Sequence, residues 1–402
     1  MESTTTQQKL LALIVLPGLI LALVWASTPL IERNGGLDYD GVYYAAMASA
    51  HPADPSLARI APYCWRVVTP FLASLLPFGT ITNFEVLAFL SNWLALALLY
   101  GLLRRSGLSY RASLLGMLLY AGIFWTVKFS FYSPCYIDYQ TQAISLAILY
   151  LMLRRRYWAL PALLALGVLQ KESIIFLVPI VYVHYAGQYG WLSRKTVLFL
   201  ALSLILPALA VVAVRAWVHP IRDYAHTTHY LTNLRVLLHR GFWPRFAVAL
   251  FSGLGILPAL VAYRARQVYP FLRRNLHWAL LVAIGILSLF GGTDKARLFL
   301  YMLPAAVVFA AEAMEPVLVR PKGAAWVWLG GTLLLHFYLG NLLTPMGTYE
   351  DYLRRMVPEH AIGPVWGELV RIGAVLLLWV GLTLWYAHRR AEKAPSPASR
   401  PA

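Results

Sequence analysis

The chain has 402 residues, of which 60% are hydrophobic and only 13% are charged. Soluble proteins carry about 25% charged residues, so this composition excludes an ordinary soluble domain and indicates a membrane protein. The excess of 34 Lys and Arg over 17 Asp and Glu does not indicate a nucleic-acid partner, because the basic residues cluster in short breaks between apolar segments, as at Arg154–Arg156. Such clusters are typical of the cytoplasmic loops of membrane proteins.

Apolar stretches recur from end to end, and several approach the roughly 20 residues that a helix needs to cross the hydrocarbon core. They lack the period-two alternation of a membrane β-barrel. The predicted fold class is therefore all-α, a polytopic transmembrane helical bundle. Predicted spans lie near residues 10–31, 84–103, 112–127, 139–153, 196–214, 246–263, 276–290, 298–311, 324–343 and 367–387, with two short helices between 157 and 187.

The two short helices are inferred from charge. Lys171 and Glu172 interrupt the apolar segment 157–187. A single crossing there would place every later basic loop outside, whereas two short helices keep those loops in the cytoplasm, as the positive-inside rule requires. We therefore predict about twelve crossings or part-crossings with both termini in the cytoplasm, in a bacterial inner membrane.

The first outer loop carries two carboxylates within three residues, Asp38 and Asp40, in the stretch NGGLDYDGVYYAAM. Its two glycines allow the chain to turn sharply out of the preceding helix. A carboxylate fixed there could take a proton from an acceptor hydroxyl. The alternative is structural, in which Asp40 caps a short helix and the tyrosines form an interfacial belt.

Basic residues follow in the same outer loop. Arg59 and Arg66 precede a proline-bounded amphipathic segment that continues to about residue 83. Two fixed cations beside lipid suit a phosphate headgroup. The alternative is ordinary snorkelling of both side chains to phospholipid headgroups.

Three ionisable residues are predicted at membrane depth or at its outer mouth: Asp138, Lys171 and Glu172. Ionisable groups at that depth are costly, which makes them functional candidates. A Lys–Glu pair that neutralises itself is the structural alternative.

A further outer turn, GGTDKAR, contains Asp294, Lys295 and Arg297. Its structural alternative is a tight turn in which the Asp and the Arg pair with each other.

The loop from residue 215 to 245 contains Arg222 and His226. It lacks an HExxH pattern and a Cys partner, so acceptor or headgroup contacts are favoured over a metal site. Cys64 and Cys135 both fall on the predicted outer face, where a disulfide is permitted, but two cysteines define no framework and leave the pairing open.

Taken in order, these motifs resemble the GT-C superfamily of integral-membrane glycosyltransferases, which use polyprenyl-phosphate-linked sugars. The resemblance covers roughly residues 10–310 and implies a GT-C-like catalytic module there, with additional transmembrane helices at 311–392 and a disordered tail at 393–402. It rests on Asp38 and Asp40, Arg66 with its interfacial helix, Asp138, Lys171–Glu172, and Asp294 with the Arg297-x3-Tyr301-x2-Pro304 stretch.

The resemblance implies catalysis outside the cytoplasm with a first-loop Asp as general base, Asp40 being preferred over Asp38. It predicts no cofactor firmly, leaves a divalent cation open, and assigns no metal ligand. The implied lipid-phosphate or donor contacts are Arg66, Arg59, Lys171, Arg297, Lys295 and Tyr44. The implied sugar, acceptor or orienting residues are Asp138, Glu172, Asp294, Arg222 and His226.

The predicted function is transfer of a sugar from a polyprenyl-phosphate carrier to a lipid, glycan or protein acceptor at the outer face. The partners would be that donor, the acceptor and membrane lipids. A basic outer cavity would equally serve a transporter or flippase of lipid-linked glycans, and a polymerase or ligase of surface polysaccharide is a third alternative.

Overall fold

A computed structural model describes residues 5–221, 231, 235, 242–288, 294–318, 323–342 and 365–392. Within these ranges the regular structure is helical and no strand is formed, so the all-α prediction is confirmed. Most of the predicted spans overlap described helices: the segment 84–103 lies inside Thr80–Arg105, and 367–387 lies inside Trp366–Glu392.

The first ten helices lie between residues 6 and 217. In chain order they are α1 (Thr6–Ser27), α2 (Gly41–Ala48), α3 (Val68–Ser74), α4 (Thr80–Arg105), α5 (Tyr110–Ala121), α6 (Phe124–Tyr132), α7 (Asp138–Leu153), α8 (Tyr157–Gln170), α9 (Val178–Tyr189) and α10 (Arg194–Trp217).

Eight further helices complete the described part of the chain. They are α11 (Phe242–Leu254), α12 (Leu257–Tyr263), α13 (Ala265–Arg274), α14 (Leu276–Ser288), α15 (Lys295–Tyr301), α16 (Leu303–Leu318), α17 (Gly323–Gly340) and α18 (Trp366–Glu392). The predicted domain division at residue 310 falls inside α16 and stays a prediction, and the predicted tail at 393–402 lies outside the described residues.

Four of the described helices are long and apolar enough to cross a membrane: α1, α4, α10 and α18. Three bent pairs raise the number to seven if each pair counts as one span, namely α5 with α6, α11 with α12, and α15 with α16. Several apolar helices could therefore span a bilayer. The larger figure of about twelve crossings stays a prediction.

The break at Lys171 is confirmed as a feature of the chain. Helix α8 ends at Gln170, and Lys171 adopts an extended backbone with φ −162° and ψ 129°. A 3-10 turn over Glu172–Leu177 then leads into α9. The break frees backbone groups from the helix and lets consecutive side chains point to different partners.

Helices α4 and α7 pack against each other in parallel at the centre of the bundle. Near their starts the Tyr139 hydroxyl donates to the Phe84 carbonyl at 3.2 Å. Further along, Gly101 lets them approach closely, because a Cβ there would lie 2.7 Å from the Tyr150 ring. Both helices therefore begin at one end of the bundle and finish together at the other.

Candidate functional site

The first outer loop leaves α1 through a tight backbone turn. Asn34, Gly35 and Gly36 have φ of 51°, 64° and 96°, a left-handed conformation that glycine adopts at little cost. The sharp glycine turn expected from the sequence is thus present. It places the two carboxylates of the loop directly before α2.

Asp38 is sequestered inside the protein. Its side chain is fully buried and accepts hydrogen bonds from the Ser133 hydroxyl at 2.8 Å and from the Tyr39 backbone N–H at 2.7 Å. Burial raises the pKa of Asp38 to about 6, against the opposing effect of these two hydrogen bonds. Asp38 therefore connects the segment before α2 to the segment between α6 and α7.

Asp40 occupies the N-cap position of α2 but makes no side-chain capping bond. Its Oδ1 accepts instead from the Tyr63 hydroxyl at 3.0 Å, and the carboxylate is half-buried. Burial and the Asp40 charge raise the pKa of Tyr63 above its usual value, which keeps the phenol protonated as a donor. The Asp40 side chain therefore does not cap α2.

Arg66 is fixed by two partners from different parts of the chain. Its Nε donates to Glu172 Oε2 at 3.0 Å, and its Nη1 donates to the Tyr44 hydroxyl at 3.1 Å. Burial opposes its charge, but Glu172, Tyr44 and Asp40 together outweigh burial and hold the pKa of Arg66 well above its usual value. The side chain therefore does not snorkel outward, because it is directed at Glu172.

Lys171 pairs with Asp138 rather than with its neighbour Glu172. The Nζ to Oδ1 distance is 2.5 Å, and the two side chains are only 16% and 11% exposed. The predicted self-neutralising Lys–Glu pair is thus absent from these contacts. The extended backbone at Lys171 sends the two charges to separate partners.

Arg297 lies on the other side of Asp138. Its Nη1 is 3.6 Å from Asp138 Oδ2, and its Nε is 3.7 Å from Asp294 Oδ2. The guanidinium also stacks 4.9 Å from the centre of the Tyr136 ring. The self-paired Asp–Arg turn is therefore only part of the arrangement, since Arg297 bridges two carboxylates.

These contacts bring five separate segments of the chain to one end of the bundle. Arg66 lies near enough to Asp138 to interact with it electrostatically, and Arg297 does so with Asp38. We refer to the group as the ionic cluster. Its members are Asp38, Asp40, Tyr44, Tyr63, Arg66, Asp138, Lys171, Glu172, Asp294 and Arg297.

The ionic cluster as defined leaves out four predicted site residues. Arg59 is exposed, with φ 55°, and its described contact is a backbone one, its carbonyl accepting from the Ile221 N–H at 2.8 Å. Lys295 is buried at the start of α15. Arg222 and His226 lie outside the described residues.

Sequence reasoning missed three contributors. They are Tyr63, Ser133 and Tyr136, none of which was predicted as a site residue. Each is a direct partner, of Asp40, Asp38 and Arg297 respectively. Their position beside predicted site residues was the available signal, but nothing in the sequence identified which carboxylate or cation each would meet.

An apolar groove borders the ionic cluster. It is a cavity of about 450 Å³ with an almost wholly apolar lining. Val67, the residue after Arg66, forms part of its wall. Other lining residues are Met47, Phe71, Leu72, Leu166 and Trp217.

Both cysteines are buried, and they do not form a disulfide. Cys135 packs against Gly41, where a Cβ would come within 2.7 Å of the Cys135 Cβ. Among the residues the structure describes, no group of three or more His, Cys, Asp or Glu side chains could hold a metal ion.

Comparisons with known proteins return no matching family model, no matching curated protein and no matching solved structure.

Proposed function

We propose that this protein is a membrane glycosyltransferase of the GT-C type, which transfers a sugar from a polyprenyl-phosphate carrier to a lipid, glycan or protein acceptor. The observation that carries the proposal is the setting of Asp40. The carboxylate makes no capping bond, accepts from Tyr63, and lies close enough to Arg66 to interact with it electrostatically.

The chemistry fits a general base. Among the described residues Tyr63 donates to Oδ1 of Asp40, and no donor occupies Oδ2. An acceptor hydroxyl there would lose its proton to Asp40 as its oxygen bonds to the anomeric carbon of the sugar. The bond from that carbon to the phosphate oxygen breaks, and the electron pair leaves with the polyprenyl phosphate. Such a leaving group needs positioning and charge stabilisation more than further activation.

The cations would serve the lipid phosphate. Arg66, Lys171 and Arg297 each have a carboxylate partner at rest, which keeps these buried charges compensated. The phosphate would share or replace these partners when the donor binds. Glu172 and Asp138 would then orient the cations or the sugar hydroxyls.

The groove would receive the isoprenoid chain. It begins at Val67, directly after Arg66, and its lining is apolar. A phosphate held by Arg66 would therefore have its lipid tail in an apolar channel, as a polyprenyl phosphate requires. The position of Arg66 next to a residue of the groove wall favours a lipid-linked donor over a soluble nucleotide sugar.

We also propose an orientation of the chain in the membrane. Basic breaks at Arg154–Arg156 and Arg264–Arg274 follow the positive-inside rule if they face the cytoplasm. The ionic cluster then faces the exterior of a bacterial inner membrane, both termini lie inside, and the spans and part-spans number about twelve.

Turnover is the direct test. Full-length protein in lipid nanodiscs would be incubated with synthetic polyprenyl-phosphate monosaccharides and a lipid extract, and release of polyprenyl phosphate would be measured by mass spectrometry. Asp40→Asn should lower the rate by about 10²–10⁴-fold, the usual contribution of a general base. Glu32→Gln, an exposed carboxylate change in the same loop, is the matched control and should leave the rate unchanged.

The outcomes separate the proposed function from transport. Full sugar transfer by Asp40→Asn together with loss in Asp38→Asn would reassign the base to Asp38. Full transfer by both variants would contradict the catalytic scheme. Movement of the lipid-linked sugar across the bilayer without transfer, unaffected by Asp40→Asn, would identify a flippase.

Donor binding has its own test. Native mass spectrometry of gently purified wild-type protein should find a co-purifying polyprenyl phosphate or its sugar-linked form. Arg66→Ala and Arg297→Ala should lose it, and Arg194→Ala, an exposed basic residue outside the ionic cluster, should retain it. Equal recovery of bulk phospholipid alone from all four proteins would contradict the lipid-phosphate site.

A further inference from the structure

A second cavity lies where α4 and α7 end. Its volume is about 360 Å³, within the range of about 300–1,000 Å³ common for small-ligand pockets, and its lining is polar. Four arginines line it, Arg105, Arg154, Arg155 and Arg156. We refer to it as the arginine pocket.

The local backbone gathers these charges. Arg105 is the last residue of α4, and the other three follow the last residue of α7. Arg155 has φ 56°, a left-handed conformation that is uncommon for a residue with a side chain. The turn at Arg155 therefore brings three consecutive arginines to the rim of one cavity.

No carboxylate balances the pocket. Among the described residues, none of the ion pairs includes any of its four arginines. The C-terminal ends of α4 and α7 contribute partial negative charge, but each is equivalent to only about half an elementary charge. Two helix ends therefore offset about one of the four positive charges and leave a net charge of about +3 at the cavity.

The pocket lies far from the ionic cluster. Helix α7 starts at Asp138 and has 16 residues, and at 1.5 Å per residue it separates Asp138 from Arg154 by about 24 Å. Trp158, two residues past the pocket, is 81% exposed. Trp is enriched where protein meets the membrane–water interface. The pocket is thus at the opposite end of the bundle, at the level of lipid headgroups.

We infer that the arginine pocket binds the phosphate of a headgroup that carries net negative charge, as in an anionic membrane lipid. Guanidinium groups bind phosphate through paired charge-assisted hydrogen bonds, and basic pockets between membrane helices accept such headgroups. The inference is independent of the proposed glycosyl transfer, because it uses none of the residues of the ionic cluster.

Lipid titration by native mass spectrometry tests the inference. Full-length protein in detergent would be titrated with dioleoylphosphatidylglycerol and, separately, with dioleoylphosphatidylcholine. Both lipids have a phosphate, but the choline cation is repelled by the arginines. Wild-type protein should bind phosphatidylglycerol more tightly than phosphatidylcholine. The double variant Arg105→Gln/Arg155→Gln should lose about ten-fold or more of its affinity for phosphatidylglycerol, because the loss of one charged hydrogen bond is enough to weaken binding about ten-fold.

The control removes the same charge from the same end of the bundle. Arg194→Gln/Lys195→Gln alters two exposed basic residues at the start of α10 and should leave phosphatidylglycerol binding within about two-fold. An equal loss of phosphatidylglycerol binding in both double variants would show that general surface charge causes the effect. That result would overturn the site. Unchanged binding in Arg105→Gln/Arg155→Gln would overturn it as well.

Wild-type protein alone keeps the inference falsifiable if a variant fails to fold. Its thermal unfolding midpoint would be measured with phosphatidylglycerol, phosphatidylcholine and inorganic phosphate. A rise with phosphatidylglycerol alone supports a lipid headgroup, and a rise with inorganic phosphate supports the same pocket filled from solution. No difference among the three overturns the inference.

Discussion

Helices α4 and α7 run in parallel, yet charge is arranged differently at their two ends. At the starting end Arg66, Lys171 and Arg297 each contact a carboxylate within 4 Å. At the finishing end the arginine pocket collects four guanidinium groups without a carboxylate among the described ion pairs.

Exposure accounts for the contrast. Asp138 and Lys171 are 11% and 16% exposed, and charges that have left water need a partner. The pocket arginines are exposed, so water screens their repulsion at little cost in folding free energy. Removing one partner of an ion pair in the ionic cluster should therefore lower the unfolding free energy, whereas removing an arginine of the pocket should change it little.

The largest effect is expected at Asp138. Asp138→Asn removes the counter-charge of Lys171 and weakens that of Arg297, and breaking a buried ion pair costs about 3–5 kcal/mol. The unfolding free energy, measured by denaturant titration in detergent, should fall by that amount. Asp138→Asn/Lys171→Met removes both members of the pair and should recover part of the loss. No loss in the single variant would mean that the pair is hydrated.

A pH effect of about 3 kcal/mol is expected from Asp38. Burial raises its pKa to about 6 from an ordinary value of 3.8, and each pKa unit is worth about 1.4 kcal/mol. Between these two values the folded state holds a proton that the unfolded state has released. Stability from this group is therefore greatest below about pH 4 and is lost as the pH rises through 6.

The measurement is the difference in unfolding free energy between wild type and Asp38→Asn from pH 4 to pH 7. The variant keeps a neutral side chain and should lack the fall in stability that Asp38 produces. Parallel pH profiles for the two proteins would show that Asp38 is already ionised in the folded state at pH 4.

A smaller effect is expected at Gly41, where α2 contacts the second outer loop. Gly41→Ala would bring a Cβ within 2.7 Å of the Cys135 Cβ, and overpacking of this kind costs about 1–3 kcal/mol. Gly187→Ala is the control, because that glycine is helical and a Cβ added to it would meet no atom within 4 Å. Thermal unfolding should show a lower midpoint for Gly41→Ala only.

The smallest effect is expected at the finishing end. Arg156→Gln should change the unfolding free energy by no more than about 0.5 kcal/mol in lipid-free detergent, because the side chain is exposed and makes no described ion pair. A loss as large as that of Asp138→Asn would show that the arginine pocket is part of the folding core and would remove the contrast between the two ends.

The sequence by itself established much of the helical framework. The apolar stretches predicted helices at nearly every observed position, and the charges at Lys171 and Glu172 located the break between α8 and α9. These features are local, since hydropathy and a charged interruption act within a few turns of the chain. The candidate residues of the first outer loop were also recognisable, because Asp38 and Asp40 stand out in an apolar sequence.

Partner choice was decided only by the tertiary structure. Lys171 and Glu172 are adjacent, yet one pairs with Asp138 and the other with Arg66, which is 106 residues away. Likewise Asp40 was preferred over Asp38 from the sequence, but only the structure shows that Ser133 donates to Asp38 and Tyr63 donates to Asp40. Ion pairing depends on distances of a few ångströms between side chains, and packing of distant helix ends sets those distances where local sequence does not.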